Sequence, residues 1–390
     1  MIRSVEEVEI ETRRVLLRVD FDCPLRDGAV LDDARIRAAL PTIRHALNRR
    51  AKVVMLSHLG SPGGRHEAAL SLEPVGARLA ELLDMDVVLA DDCVGDGARK
   101  VVADLYGGQI AMLENLGFQP GEASRDERFA RQIAALGEVY VGEAFAVAHR
   151  TDASISILPG LVAERCAGLA LKREMESLAR LRGDVKHPFV AILGGARVPD
   201  KFRLIHGMMG RLDAILAGGV VANTFLAASG RETGDSLVEK GCLVQARGIL
   251  EEARKRSVSV ALPVDLVVTG AGSEETSTVP ADRVPAGRTV LDVGPATVSA
   301  FGEVVASAAT IFWNGPLGMC ERPPFDSGTR ALAEAVGRSL AWSVVAGGDS
   351  VSAVRAGKLE PRFGHVSTSG GAGLAYLGGE DLPGIRALEV

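Results

Sequence analysis

FVAILGGA (residues 189–196), AILAGGVVA (214–222), TIFWNGPLG (310–318), VVAGGDS (344–350) and HVSTSGGAG (365–373) repeat one local pattern five times in the second half of a 390-residue chain. Each is a short apolar run that ends in a glycine loop. Runs of this length bounded by glycine read as buried strands, and residues with helical spacing follow most of them. Strand, glycine turn and helix in succession build a parallel sheet whose carboxyl edge is lined by glycine loops and helix N-termini. Such an edge binds ligands in open α/β sheets, and phosphates suit it because free N–H groups point outward there. One such loop needs no ligand, since glycine also closes tight turns. Five in succession point to a polyphosphate or nucleotide site.

The chain is 47% apolar and 24% charged, and its length suits two domains rather than one core. Its net charge is −6 with no basic block, and aromatics make up only 4%, so no nucleic-acid partner is expected. No apolar stretch reaches the roughly 20 residues that cross a bilayer. The first residues, MIRSVEEVEIETRRV, lack the apolar core of a secretory signal. Cys23, Cys93, Cys166, Cys242 and Cys320 are scattered, without a CxxC pair or a Cys/His metal spacing. They read as reduced thiols of a cytoplasmic protein.

The first half alternates strands and helices as well. RVLLRVDF (14–21), AKVVMLSHLG (51–60), MDVVLADDCV (85–94), GQIAMLENLGF (108–118) and EVYVGEAFAVAHR (138–150) read as strands with their loops. Residues 34–50, 72–83 and 125–137 have helical spacing. These strand ends carry Asp20, Asp22, His58, Asn115, Glu143 and Arg150 instead of paired glycines. Alternation along the whole chain predicts an α/β protein with two parallel sheets flanked by helices. The expected division is a first domain at 1–166, an interdomain helix at 167–184 and a second domain at 185–373. The polar insert at 269–287 reads as a solvated hairpin or loop.

No Walker A loop and no GxGxxG fingerprint occur, so the nucleotide class must rest on other groups. GGARVPDK supplies Arg197 and Lys201, four apart and on one face if helical. GGDS supplies Asp349 at a helix start, with the hard oxygen that Mg²⁺ prefers. STSGGAG supplies serial N–H donors from Ser369 to Gly373. Alone, Lys201 would be a surface lysine and Asp349 an N-cap. On one sheet edge they suit a nucleoside triphosphate, which needs cation, backbone N–H groups and Mg²⁺.

RVDFDCPL, SHLGSPGG, LENLGFQPGE, AFAVAHR, HPFVAILGGARVPDK, WNGPLG, PPFDSGT, GGDSV and HVSTSGGAG, in this order, resemble the phosphoglycerate kinase family over essentially the whole chain. The resemblance implies two Rossmann-like domains. The first binds 3-phosphoglycerate and the second Mg²⁺ with ATP or ADP. It also implies closure about a hinge, a monomer, and a tail (374–390) that packs back on the first domain. The reaction it implies is reversible transfer of phosphate between ATP and the acid's carboxylate, giving 1,3-bisphosphoglycerate in glycolysis. Gly194, Gly195, Gly218 and Gly219 match loops near the nucleotide, Asn314 the asparagine near the phosphates, and Glu321 the ribose-binding glutamate. Gly348, Asp349 and Ser350 match the Mg-nucleotide loop, with Asp349 meeting the metal through the nucleotide. Lys201 matches the lysine on the phosphates, and Gly370 and Gly371 the helix start facing the transferred group. Arg197 stands where the family has lysine, and Val220 where it has a third glycine.

On the acid side Asp20, Arg35, His58 and Arg150 match, with Arg35 at the end that receives the phosphoryl group. Ser61 and Gly117 replace two arginines that clamp the acid's far phosphate, and Asp22 replaces an asparagine. Gly142, Glu143, Ala146 and Val147 also depart from the family pattern. Each charge-assisted hydrogen bond contributes roughly 1.5–3 kcal/mol, so losing two weakens binding by about two to four powers of ten unless something compensates. Three readings therefore stay open: a kinase of 3-phosphoglycerate, a paralogue whose acid lacks the far phosphate, and a weakly active or inactive nucleotide-binding relative.

Overall fold

The computed structural model describes residues 2–270 and 275–390. The chain divides into two compact units, Met1–Glu176 with Asp381–Val390, and Ser177–Glu380. The first unit is built on β1 (Arg14–Arg18), β2 (Lys52–Leu56), β3 (Val87–Leu89), β4 (Ile110–Met112), β5 (Val139–Gly142) and β6 (Glu164–Ala167). Their spatial order is β3-β4-β2-β1-β5-β6, all pairs parallel. The second is built on β7 (Phe189–Leu193), β8 (Ala214–Ala217), β9 (Ser259–Ala261), β10 (Thr310–Asn314), β11 (Trp342–Ala346) and β12 (His365–Val366). Their order is β9-β8-β7-β10-β11-β12, again parallel.

The five glycine-ended runs are β7, β8, β10, β11 and β12, five strands of one sheet. β7 and β10 are buried at every residue. Helices on both faces of a parallel sheet impose that condition, which is why such strands read as continuous apolar runs. Counted from its own first strand, the second sheet runs 3-2-1-4-5-6, the doubly wound order. Its winding reverses between β7 and β10; in the first sheet the reversal falls between β1 and β5. At a reversal the flanking loops leave in opposite directions and open a crevice at the strands' carboxyl ends.

Packing brings candidate residues to these crevices. The helix Ala34–Asn48 buries Ile36, Ala39, Leu40 and Ile43 at helical spacing, which leaves Arg35 at the rim of the first sheet. Val15, Leu17, Val53, Met55, Val139 and Val141 form the core beneath. In the second unit Val190, Ile192, Leu216, Ile311 and Trp313 meet Phe301 and Val305 of the helix Pro295–Ser307.

Some elements differ from the sequence reading. The edge strands β6 (ERCA) and β9 (SVA) and the helix Asp96–Ala103 carry too little apolar pattern to be read beforehand. The insert at 269–287 does include a hairpin: Asp265–Gly270 pairs antiparallel with Thr276–Pro280, and with Arg288–Val293 on its other side. Residues 271–274 lie outside the described residues. The helix Gly370–Leu377 belongs to the second unit, and the return to the first begins at Asp381, not at residue 374. There Gly384 N donates to Ala148 O at 2.9 Å and Arg165 Nη2 to Glu389 O at 2.6 Å. The cysteines are free thiols. No helix among the described residues is long and apolar enough to cross a membrane.

The helix Leu169–Arg182 carries the chain from one unit to the other, and Glu143 anchors its start. Ala170 N donates to Glu143 Oε1 at 3.1 Å, Leu171 N to Oε2 at 3.0 Å, and the Thr42 hydroxyl to Oε1. Thr42 Oγ1 in turn accepts from Leu169 N at 2.8 Å. A carboxylate at a helix start complements its free N–H groups. Burial works against the charge and pushes Glu143 up to about 7, although Thr42, the two amides and Arg173 favour the ionised form. The folded value lies above the unfolded one, so this group's stabilising contribution is complete below about pH 4.5. It is lost as pH rises towards 7, on the order of 3 kcal/mol in all. Urea unfolding followed by circular dichroism at pH 5 and pH 8 should show that decline in the wild type and a smaller one in Glu143→Gln. Equal declines in both proteins would refute the assignment.

Candidate functional site

At the reversal of the second sheet, the loops after β7, β8 and β10 meet backbone against backbone. Gly194 N donates to Asn314 O at 3.0 Å, Gly195 N to Pro316 O at 2.9 Å, Gly218 N to Leu193 O at 2.9 Å and Gly219 N to Leu317 O at 2.9 Å. A Cβ on Gly194 would lie 2.0 Å from Pro316 O, and one on Gly315 (φ +98°) 2.2 Å from Gly194 O. These contacts correct one expectation. The amides of Gly194, Gly195, Gly218 and Gly219 are already bonded to carbonyls and do not point out at an anion. What glycine contributes is the missing Cβ, which lets the three loops mesh closely.

The outward N–H groups lie instead at helix starts. Gly348–Ala356 begins after Gly347 (φ +92°), and neither it nor Gly370–Leu377 has a side-chain cap bond. Both helices follow strands of this edge, and uncapped first-turn amides attract anions. Asn314 is buried, with Nδ2 donating to Ala346 O at 3.0 Å. Ser350 is fully buried, and its Oγ accepts from Gly315 N at 2.8 Å, so it holds the loop from below. Glu321 is exposed on the segment after Gly318.

Lys201 is only 4% exposed, although its sequence context suits a surface lysine. It lies in the helix Val198–Met208, on the same buried face as Val198, Phe202 and Ile205. Burial first, then the nearby Arg197, pull it down to about 8, against Asp200 and Asp349. Those influences place Arg197, Lys201 and Asp349 within one electrostatic neighbourhood. Arg197 keeps 76% of its side chain exposed, with its nearest carboxylate, Asp200, 4.0 Å away. This group can offer two cations and a hard oxygen to a phosphate chain.

The first unit's reversal is lined by side chains. After β1, Asp20 pairs with Arg35, and Asp22 Oδ1 accepts from Gly60 N at 2.8 Å. Arg35 is 41% exposed, and its charge is reinforced by Asp20 and Asp22 against burial. Arg150 Nη2 lies 2.7 Å from Asp152 Oδ2. His58 is buried, and burial followed by Arg18 and Arg150 drives it down to about 3. Near pH 7 it is therefore a neutral imidazole that can hydrogen-bond but adds no charge. Asn115, fully buried, ties Leu59 to Gly117 and does not face the crevice. Ser61 is exposed and Gly117 half-buried.

Behind His58 lies a layer that the sequence reading missed. Arg18 is fully buried; its Nη2 lies 3.3 Å from His58 Nδ1, and its Nε donates to Ser154 Oγ at 2.8 Å. Ser154 N donates to Glu122 Oε2 at 2.9 Å, and burial raises Glu122 above the usual carboxylate range. One signal was available: arginine closes an otherwise apolar buried strand, RVLLR, and buried arginine requires partners.

A backbone-lined anion edge in one unit and a charged side-chain crevice in the other define a two-substrate α/β enzyme of the phosphotransferase class. A family model described as phosphoglycerate kinase matches residues 5–380, and the chain belongs to that family. It is 48% identical to the phosphoglycerate kinase of Anaeromyxobacter dehalogenans (strain 2CP-1) over 394 residues, covering 100% of this chain and 99% of the relative. It is 42% identical to that of Pelotomaculum thermopropionicum, covering 99% and 98%. The solved phosphoglycerate kinase of Coxiella burnetii superposes with a TM-score of 0.88 at 36% identity, covering 100% and 99%. That of Pyrococcus horikoshii OT3 superposes with a TM-score of 0.89 at 31% identity, covering 100% and 98%. Membership makes the chain an ATP-dependent phosphotransferase.

The lowered value of Lys201 has a measurable consequence. The ammonium is charged below about pH 8 and neutral above it, so if Lys201 meets the phosphates its contribution to affinity is present at pH 7 and lost as pH rises through that value. Calorimetric titration with Mg-ADP should give roughly tenfold or greater weakening between pH 7 and pH 10, and a flatter profile in Lys201→Met. Constant wild-type affinity over this range would contradict the placement of Lys201 at the phosphates.

Proposed function

We propose that the enzyme interconverts ATP and 3-phosphoglycerate with ADP and 1,3-bisphosphoglycerate, with nucleotide on the second unit's glycine edge and the acid in the first unit's crevice. Family membership over the full length carries this reading. A carboxylate oxygen of the acid attacks the terminal phosphorus of ATP as the bond to ADP breaks, in line and without a covalent enzyme intermediate. Arg35 holds the receiving carboxylate, while Asp20, Asp22, His58 and Arg150 orient the acid. Arg197, Lys201 and the helix start at Gly370 and Gly371 stabilise charge on the moving group. The floor of Gly194, Gly195, Gly218 and Gly219 lets the nucleotide lie close to the backbone, Asn314 and Gly348 border its phosphates, and Glu321 meets the ribose. The helix Leu169–Arg182 serves as the hinge.

Mg²⁺ fits this donor set if it arrives with the nucleotide. Among the described residues no group of three or more His, Cys, Asp or Glu could cage an ion. Asp349 would supply one hard oxygen and the nucleotide's phosphates others, the usual way for Mg²⁺ to bind. When bound, the ion neutralises phosphate charge.

Ser61, Gly117 and the added carboxylate of Asp22 favour a second reading, an acid without the far phosphate. An ATP-consumption assay decides between them. Robust turnover of saturating 3-phosphoglycerate is expected, and Arg35→Ala should lower it by at least a hundredfold. Background rates with 3-phosphoglycerate but turnover of an unphosphorylated hydroxy acid would reverse the assignment.

A further inference from the structure

Positions 61 and 117 carry no cation, yet the loops that contain them are drawn together. A Cβ on Gly117 would meet Pro62 Cγ and Asn115 Oδ1, each at 3.0 Å. With no Cβ there, the 60–66 segment rests on the 115–118 segment. Gly64 N donates to Gly117 O at 3.0 Å, and the His66 ring packs on Phe118 with centroids 4.7 Å apart. Gly60, Gly63 and Gly64 take φ of +62°, +65° and +81°, which lets the chain double back. The base of this loop is fixed at the acid crevice by the bond from Gly60 N to Asp22 Oδ1 at 2.8 Å.

Arg65 follows Gly64 directly. It is exposed and forms no ion pair among the described residues. We infer that Arg65 supplies the cation for the acid's anionic far end, in place of a side chain at 61 or 117. The inference rests on the assignment of a phosphorylated acid to this crevice. Its warrant is backbone placement: Arg65 stands one residue beyond the hydrogen bond to Gly117, on a loop whose other end adjoins Asp20 and Arg35. A guanidinium on a flexible stem offers five donors in a fork that matches a phosphate. The bare Gly117 and the cation at 65 then form one device. Removing the Cβ at 117 lets the loop close, and closure brings Arg65 to the place that the side chain vacated. His66, stacked on Phe118, is a positioning residue for the loop.

Steady-state kinetics on the full-length enzyme test this. Arg65→Ala should raise the KM for 3-phosphoglycerate at least tenfold, and adding Ser61→Arg to that variant should lower it again. Arg99→Ala, which removes the same charge from an exposed helix of the same unit, should change it less than threefold. An unchanged KM in Arg65→Ala, an equal rise in Arg99→Ala, or no recovery with Ser61→Arg would overturn the inference. Failure of the underlying assignment is separate, because the wild type would then turn over no 3-phosphoglycerate at all.

Discussion

The closest constraint in the second unit is the contact between the loops after β7 and β10. Gly194 and Gly315 approach so closely that neither position has room for a Cβ. The glycines of the β8 loop press on the same junction, with a Cβ on Gly218 only 2.4 Å from Leu317 Cδ2. This mesh sits at the reversal of strand order, where the α/β fold opens a crevice. Everything proposed for the nucleotide depends on the close approach of these backbones, which side chains at the glycine positions would prevent. In that proposal the helix starts at 348 and 370 supply N–H groups, the helix at 198–208 supplies Lys201, and Arg197 stands at its N-cap.

The first unit solves a different problem with different materials. The crevice proposed for the acid is shaped by charged side chains, and a buried polar layer lies behind His58. Ser154, tied to Glu122, holds Arg18 beside His58, and burial followed by Arg18 and Arg150 suppresses the charge of that imidazole. Positive charge at the rim therefore falls to Arg35 and Arg150, each with a carboxylate beside it. A site so balanced needs another cation to hold a dianionic end group, which gives Arg65 its importance.

Much of this was legible in the sequence for a definite physical reason. Strands buried on both faces must be apolar throughout, so β7, β8, β10 and β11 stand out, and glycine marks where each one turns. Edge strands escape that rule. β6 and β9 are short, half-exposed and unpatterned, and they become visible only through pairing with β5 and β8. The candidate residues were legible as types and positions but not in their states. Sequence cannot show that the amides of Gly194 and Gly218 are already bonded, that Lys201 is buried, or that Ser350 lies beneath a loop. Arg18 shows the limit most clearly: its role follows from partners 40 and 136 residues away along the chain.

The central claim is that the meshed glycine loops of the second unit form the nucleotide floor. A crystal structure with Mg-ADP bound tests it most directly. The account predicts adenosine against the loops after β7 and β8, and phosphates between Lys201 and the helix start at Gly348. Nucleotide density bound instead in the first unit's crevice, with the glycine edge empty, would contradict it.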